Sequence, residues 1–249
     1  MLKNYLKSTA RRLGFDLQHF HPARSHAAQL SAMLSFHKIN LIFDVGANVG
    51  QYGRELRGPI GYRGRIISFE PMKAAHSALV RLAATDRLWD IAPRAAIGAK
   101  NGTTMINVSS NSVSSSILPM LKSHADAAPE SRYFASEEVP LATLDKLAVP
   151  YFRDDSVAFL KIDTQGYELE VLKGAGDTLS RIVGMQMELS LIPLYDGQKL
   201  MPEMLTEVAN LGFELWGISP TFAEPETGRM LQVDATFFKY SDSWDRGDQ

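Results

Sequence analysis

The chain has 249 residues, 45% hydrophobic and 22% charged, with 18 glycines and 12 prolines, which is enough apolar content to bury a substantial core and excludes a disordered tail or a collagen-like fibre. It contains no cysteine, so disulfide scaffolds, thiolate zinc sites, iron–sulfur clusters and cysteine nucleophiles are all excluded. A formal net charge of -2 lacks the single-sign field of a general nucleic-acid binder, and no nucleic-acid partner is expected.

Taken in chain order, Leu2, Leu6, Ala10 and Leu13 recur at helical spacing beside Lys3, Lys7 and Arg11, which predicts a short basic amphipathic helix. It is either a terminal helix packed on the domain or a docking element for a membrane surface or partner. No apolar leader segment follows it and no run of 18 predominantly apolar residues occurs, so neither a secretory signal nor a transmembrane span is expected, and the expected location is cytoplasmic. A second helix is suggested by Leu30, Met33, Leu34 and His37, with His37 at its rim.

From residue 41 the texture changes to short apolar runs: Leu41 to Val45, Arg65 to Glu70, Trp89 to Ile97, Val157 to Asp163, and Gly184 to Leu191. Helical patterns lie between them, at Gly50 to Arg57, Met72 to Thr85 and Gly166 to Lys173. Strands spaced by helices predict an α/β doubly wound, mostly parallel sheet covered on both faces. A further helix from Pro202 to Leu211 precedes two closing strands, Phe213 to Ile218 and Val233 to Tyr240, whose short connection suits an antiparallel pair. The segment from about 102 to 143 reads as an insertion, with a strand over Thr103 to Val108, a Ser/Asn-rich loop over Ser109 to Ser116, and an edge strand over Val139 to Thr143 because Pro140 cannot donate to a ladder. The expected organisation is a helical arm over 1–39, one domain over 40–243 and a tail over 244–249.

The most informative stretch is Phe43-Asp44-Val45-Gly46-Ala47-Asn48-Val49-Gly50, where an apolar strand ends in an acid and turns through small residues into a helix. Such a turn lets a ligand approach the backbone and the N–H groups of a helix end. Glu70 closes the next strand, where an acid accepts the hydroxyls of a ribose; its alternative is to cap the helix that begins near Pro71. A dinucleotide loop would need Gly-x-Gly-x-x-Gly, whereas here the spacing is Gly46-x-Asn48-x-Gly50 and Asp44 would repel a pyrophosphate. The acid suits a cofactor bearing an ammonium and a sulfonium, namely S-adenosylmethionine, over NAD.

These residues resemble the FkbM-type S-adenosylmethionine-dependent methyltransferases. The matching pieces are Phe43 to Tyr52, Ser68-Phe69-Glu70-Pro71, Ala95-Ala96-Ile97-Gly98 with Asn101-Gly102, Leu141 to Asp145, and Leu160 to Ala175, which reads LKIDTQGYELEVLKGA. The resemblance implies a class I (Rossmann-like) methyltransferase fold with an antiparallel last strand, and methylation of a hydroxyl oxygen. It also implies that Asp44, Gly46, Ala47, Asn48 and Gly50 hold the methionine and ribose side of the cofactor, Glu70 and Pro71 the ribose, and Ala96 the adenine. Family members commonly carry Glu where this chain has Gln165, so that position is not made a catalytic acid.

Asp163, at the end of a predicted strand, is the candidate for activating an acceptor hydroxyl, directly as a general base or through a divalent metal; its alternative is to cap the helix beginning near Gly166. Glu188 is the second catalytic candidate, because Gln186, Glu188 and Ser190 alternate along a strand that should be buried. A metal held by Asp163 and Glu188 alone would be incomplete. His124, in the insertion, is read as a solvated loop residue, its alternative being a base that reaches the site, and Trp89 and Trp216 are read as core rather than stacking platforms. The expected acceptor is a hydroxyl of a sugar, glycan or secondary metabolite. The competing readings are a non-catalytic cofactor-binding or scaffold protein, and an NAD-dependent oxidoreductase.

Overall fold

The computed structural model describes residues 2–17 and 19–240; the expected 244–249 tail lies outside them. After α1 (Leu2–Arg12) and α2 (His26–Phe36), the chain runs through β1 (Leu41–Val45), α3 (Gln51–Arg57), β2 (Arg65–Phe69), α4 (Lys73–Ala83) and β3 (Trp89–Ile91). β4 (Ala96–Ile97), β5 (Gly102–Ser109), α5 (Lys122–Ala127), β6 (Tyr133–Ala142) and α6 (Leu144–Ala148) follow. The chain then continues through β7 (Ala158–Ile162), α7 (Glu168–Lys173), α8 (Gly176–Ser180), β8 (Ile182–Ser190), α9 (Met201–Asn210), β9 (Phe213–Ala223) and β10 (Met230–Lys239).

Among the described residues, seven strands form one sheet in the order β3-β2-β1-β7-β8-β10-β9. β3, β2, β1, β7 and β8 are parallel, and β10 runs antiparallel to both of its neighbours. The expected mostly parallel sheet with an antiparallel last strand is therefore the fold. The chain leaves β1 towards β2 and β3, then returns through β7 to build the other half, which puts a topological switch point between β1 and β7.

The core follows from strand periodicity. Leu41, Phe43, Leu160 and Met187 point to one face, with α6, α7 and α9 side chains such as Leu144, Val171 and Met204. Ile42, Ile66 and Phe159 point to the other, against Leu30 and Leu34 of α2 and Leu56 of α3. Two residues further along that second face come Asp44, Ser68 and Lys161, all buried, so the face that begins apolar ends polar at the carboxyl end of the strands. α2 is thus part of the core, starting at Ser25, whose hydroxyl accepts the Ala28 N–H. Within the expected 1–39 arm, α1 leaves Tyr5 and Leu6 exposed, whereas α2 buries Ala28, Leu30 and Leu34 and exposes Phe36 at its end.

The structure corrects several details. The run Trp89 to Ile97 is two strands: β3 joins the main sheet, whereas β4, beyond Pro93, joins a second sheet of order β4-β6-β5. β6 is central in that sheet rather than an edge. Pro140 is accommodated because β4 pairs only with Leu141 and Ala142, leaving the proline just outside the ladder on that side. His124 is not solvated: it is buried, edge-on to Tyr195 at 5.1 Å between ring centroids, and burial pulls its pKa down to about 4. Trp89 is core as expected, and Trp216 packs on Phe238 at 5.0 Å.

Candidate active site

The carboxyl ends of β1, β2 and β7, the start of β4 and the loop after β5 line an open cleft at the switch point. Its wall includes Asp44, Gly46, Ala47, Asn48, Glu70, Pro71, Ala96 and Asp163. Gly50 stands outside it: at φ 88° it opens α3, and a Cβ there would lie 2.5 Å from Leu82 and 2.9 Å from Leu79, so this glycine serves helix packing. Gly46 combines φ 86° with a close approach between strand ends, since a Cβ would lie 1.8 Å from the Asp163 carbonyl oxygen. The β1 turn therefore rests directly on the β7 turn, which ties the two halves of the cleft together.

Glu70 is nearly inaccessible, and each of its oxygens accepts a backbone N–H, from Asn48 at 2.8 Å and from Met72 at 2.7 Å. Burial pushes its pKa up to about 7, with those two hydrogen bonds pulling the other way. The acid thus fixes the Asn48 turn, itself at φ 47°, and also meets the start of the following helix, so the capping and ligand-facing alternatives are both physically present. Asp44 accepts from the Ser68 hydroxyl at 2.9 Å, and Ser68 in turn accepts from the Trp89 indole at 3.0 Å. Burial raises Asp44 to about 7, against the Ser68 bond and the charge on Lys161.

Lys161, the cross-strand partner of Asp44, was not singled out from the sequence, where it sits inside an apolar run. Its ammonium is 2.7 Å from Asp234 on β10 and 3.8 Å from Asp163. Burial opposes its charge, but Asp234, Asp163 and Glu188 outweigh burial and hold it protonated. Asp163 itself retains a side chain 35% exposed. Its pKa is raised by burial, with Lys161 opposing and Asp234 reinforcing. It does not cap a helix: Glu168 takes the Thr164 and Gly166 N–H groups at 3.1 and 3.0 Å, and Tyr167, which precedes α7, makes no side-chain cap.

Glu188 is connected to Asp163 through Gln165. The Gln165 amide nitrogen donates to Asp163 at 2.8 Å and to Glu188 at 2.6 Å, while its oxygen accepts from the Tyr195 hydroxyl at 2.7 Å. A second amide, Gln232, donates to the same Glu188 oxygen at 2.8 Å. Burial and the Asp163 charge raise Glu188 well above the usual carboxylate range. With an amide between the two carboxylates and an ammonium beside one of them, Asp163 and Glu188 do not fit a resident divalent cation. Among the described residues, no group of three or more His, Asp or Glu converges in a metal-holding arrangement.

The Ser/Asn-rich segment is ordered over the cleft. Ser112 and Asn48 exchange side-chain hydrogen bonds at 3.1 and 3.3 Å, and the Ser116 hydroxyl donates to the Gln165 carbonyl at 2.7 Å. Asn111 ties the loop to Ser131 at 2.8 Å. Tyr195, Gln232 and Asp234 escaped the sequence reading because they converge from distant segments, and Gln165, noted there only as a departure from the family's Glu, turns out to join Asp163 to Glu188; the single hint was the apolar run interrupted by Lys161.

A family model described as the methyltransferase FkbM domain matches residues 44–215, from the last part of β1 into β9. The search of curated proteins found no match. Among solved structures, an FkbM methyltransferase from Methylobacillus flagellatus KT aligns with a TM-score of 0.51 and 15% identity, covering 80% of this chain and 43% of that one. This chain thus spans less than half the length of that relative. Fibrillarin from Aeropyrum pernix with natively bound S-adenosyl-L-methionine aligns at 10% identity and a TM-score of 0.46, covering 84% and 73% of the two chains. Magnesium protoporphyrin IX methyltransferase from Synechocystis PCC 6803 with bound SAM aligns at 11% identity and a TM-score of 0.45, covering 96% and 95%. With a sheet of class I methyltransferase topology and a family model spanning most of its length, the chain belongs to the methyltransferase FkbM domain family.

Proposed function

We propose that the protein is an S-adenosylmethionine-dependent O-methyltransferase acting on a hydroxyl of a sugar, glycan or secondary metabolite. The observation that carries this reading is the acidic lining at the β1/β7 switch point, where Asp44, Glu70 and Asp163 share one cleft. Asp44 is placed to receive an ammonium, and Glu70 has lone pairs left for ribose hydroxyls after accepting two N–H groups. Ala96 and Ile97 offer an apolar edge for an adenine ring. Burial raises Asp44 and Glu70 to about 7 here, a cost that the ammonium and sulfonium of the donor would relieve.

When bound, the donor supplies an electrophilic methyl on a sulfonium. Asp163 is the cleft carboxylate with an exposed oxygen and is oriented by Gln165, so it is assigned the role of accepting the hydroxyl proton as the acceptor oxygen forms its bond to the methyl carbon. Asp163 then passes that proton to water. Lys161 balances the charge on Asp163, and its raised pKa keeps it cationic throughout. Glu188, held behind Gln165 and outside the cleft wall, orients rather than reacts. The basic amino-terminal helix is not required for these steps.

The test is to supply a donor carrying a ¹³C-labelled methyl together with pools of polyols, glycans and hydroxylated metabolites, and to look by NMR for methyl ether carbons. Label appearing only in N-methyl or C-methyl products would contradict the hydroxyl assignment, and label appearing only in RNA would contradict the sugar, glycan or metabolite acceptor.

A further inference from the structure

We propose that the amino-terminal arm docks on an anionic lipid bilayer and holds the cleft end of the sheet near that surface. This inference stands independently of the methyl acceptor.

Residues 1–20 contain four basic residues, Lys3, Lys7, Arg11 and Arg12, and one acid, Asp16, in a chain whose net charge is -2. The arm thus has the opposite sign to the domain it precedes. Along α1, at about 100° per residue, Tyr5, Leu6 and Leu13 fall on one side, while Lys7 and Arg11 fall on the other and Arg12 on the flank. The apolar side is not packed on the domain: Tyr5 is 69% exposed, Leu6 52% and Leu13 71%. It continues beyond the helix through Phe15, Leu17 and Phe20, which are 48–69% exposed. Asp16 neutralises one charge by pairing with Arg11 at 3.0 Å, leaving the arm net positive.

An exposed apolar side with basic residues beside it is what an interfacial helix presents to headgroups and acyl chains. A polyanion such as RNA would use the charges and leave the apolar row without purpose. A second copy of the acidic domain would engage the charges, but the arm also exposes Tyr5, Phe15 and Phe20 among aliphatic side chains, a mixture of aromatic, aliphatic and basic groups that suits a lipid interface.

The arm also enters the domain at a telling place. It ends at Ser25, the cap of α2, and the next residue, His26, places Nε2 3.3 Å from the Gln186 amide nitrogen. Gln186 is the strand partner of Lys161 and accepts from the hydroxyl of Tyr52, which lines the cleft. A bilayer that holds the arm therefore lies close to the carboxyl end of the sheet, where the cleft opens.

The experiment is flotation of the full-length protein with vesicles of phosphatidylcholine alone and of phosphatidylcholine mixed with phosphatidylglycerol. Selective partitioning onto the anionic vesicles is expected, with release by added salt. At roughly fivefold per basic residue, Lys7→Gln/Arg11→Gln/Arg12→Gln should lower it on the order of 100-fold, and Leu6→Glu/Leu13→Glu should abolish it. Both variants should keep the parental melting temperature and affinity for S-adenosylmethionine. The proposal is overturned by equal partitioning onto both vesicles, by none, or by full partitioning of the charge variant. Sedimentation showing an arm-dependent dimer without vesicle binding would assign the arm to a second copy. Retention on transfer RNA that survives Leu6→Glu/Leu13→Glu, without vesicle binding, would assign it to nucleic acid. A melting temperature lowered by several degrees in both variants would make the helix core.

Discussion

Glu70→Gln is the most discriminating change to the cleft, because it preserves shape and removes charge at a carboxylate already engaged twice. In the parent, both oxygens face backbone N–H groups, from Asn48 and Met72. The amide has one oxygen and no charge, so besides turning its NH₂ toward one of those donors it loses the charge-assisted hydrogen bond that the carboxylate would make to the ribose hydroxyls, worth about 1.5–3 kcal/mol. Expressed in cofactor affinity, that is roughly 10- to 150-fold. The loss should depend on pH, because burial places Glu70 at about 7. At about pH 6 only roughly a tenth of the carboxyl would be ionised, so parent and variant should bind alike, whereas at about pH 7.5 the parent should bind much more tightly. Asp44, also raised to about 7, titrates in both proteins, so below that range the logarithm of affinity should climb towards about two units per pH unit in the parent and about one in the variant. Isothermal titration with S-adenosylmethionine across this range measures both slopes. Identical slopes, or an affinity that Glu70→Gln leaves unchanged at the higher pH, would refute the role of Glu70.

Asp163→Asn should lower turnover about 10² to 10⁴-fold while leaving cofactor affinity within about threefold, and Glu188→Gln should cost about tenfold because Glu188 acts through Gln165; steady-state kinetics on an identified acceptor checks both. Equal losses in the two variants would contradict the separation of roles. Gly46→Ala should destabilise by about 3 kcal/mol or more, combining left-handed backbone with a clash on the Asp163 carbonyl, which urea denaturation reads directly. Without ligand, the folded state keeps Asp44, Glu70 and Glu168 protonated to about pH 7, where the unfolded chain has already released those protons. Their contribution is therefore full below the ordinary carboxylate range and lost as pH rises towards 7, so the melting temperature of the ligand-free protein should fall across that window and S-adenosylmethionine should restore it. A melting temperature that instead rises from about pH 5 to 7 would contradict these raised values.

The parallel strands were legible because a sheet buried on both faces demands apolar runs, and β1, β2 and β7 supply them with few interruptions. The turn Gly46-Ala47-Asn48 and the strand-end acids were legible because local backbone geometry dictates their residue types. What stayed hidden is non-local. Whether β6 lies at an edge depends on where the two-residue β4 docks, and nothing local to Val139–Thr143 encodes that. Pro93, by contrast, was a visible reason to divide the run Trp89 to Ile97. The Asp163–Gln165–Glu188 arrangement and its Tyr195 brace join residues from a strand end, a loop and a neighbouring strand, so periodicity sees each of them alone. His124 misleads in the opposite direction: a polar residue in a Ser-rich insertion suggests solvent, yet Tyr195 and Phe222 enclose it.

The most direct test of the account is to identify what occupies the cleft, by native mass spectrometry of the purified protein followed by release and sequencing-free identification of the ligand mass. The account predicts one molecule of S-adenosylmethionine or S-adenosylhomocysteine per chain, displaced in competition by added S-adenosylhomocysteine and lost in Glu70→Gln at about pH 7.5. A bound nicotinamide dinucleotide, or a protein that takes up neither S-adenosyl compound at millimolar concentration, would contradict it.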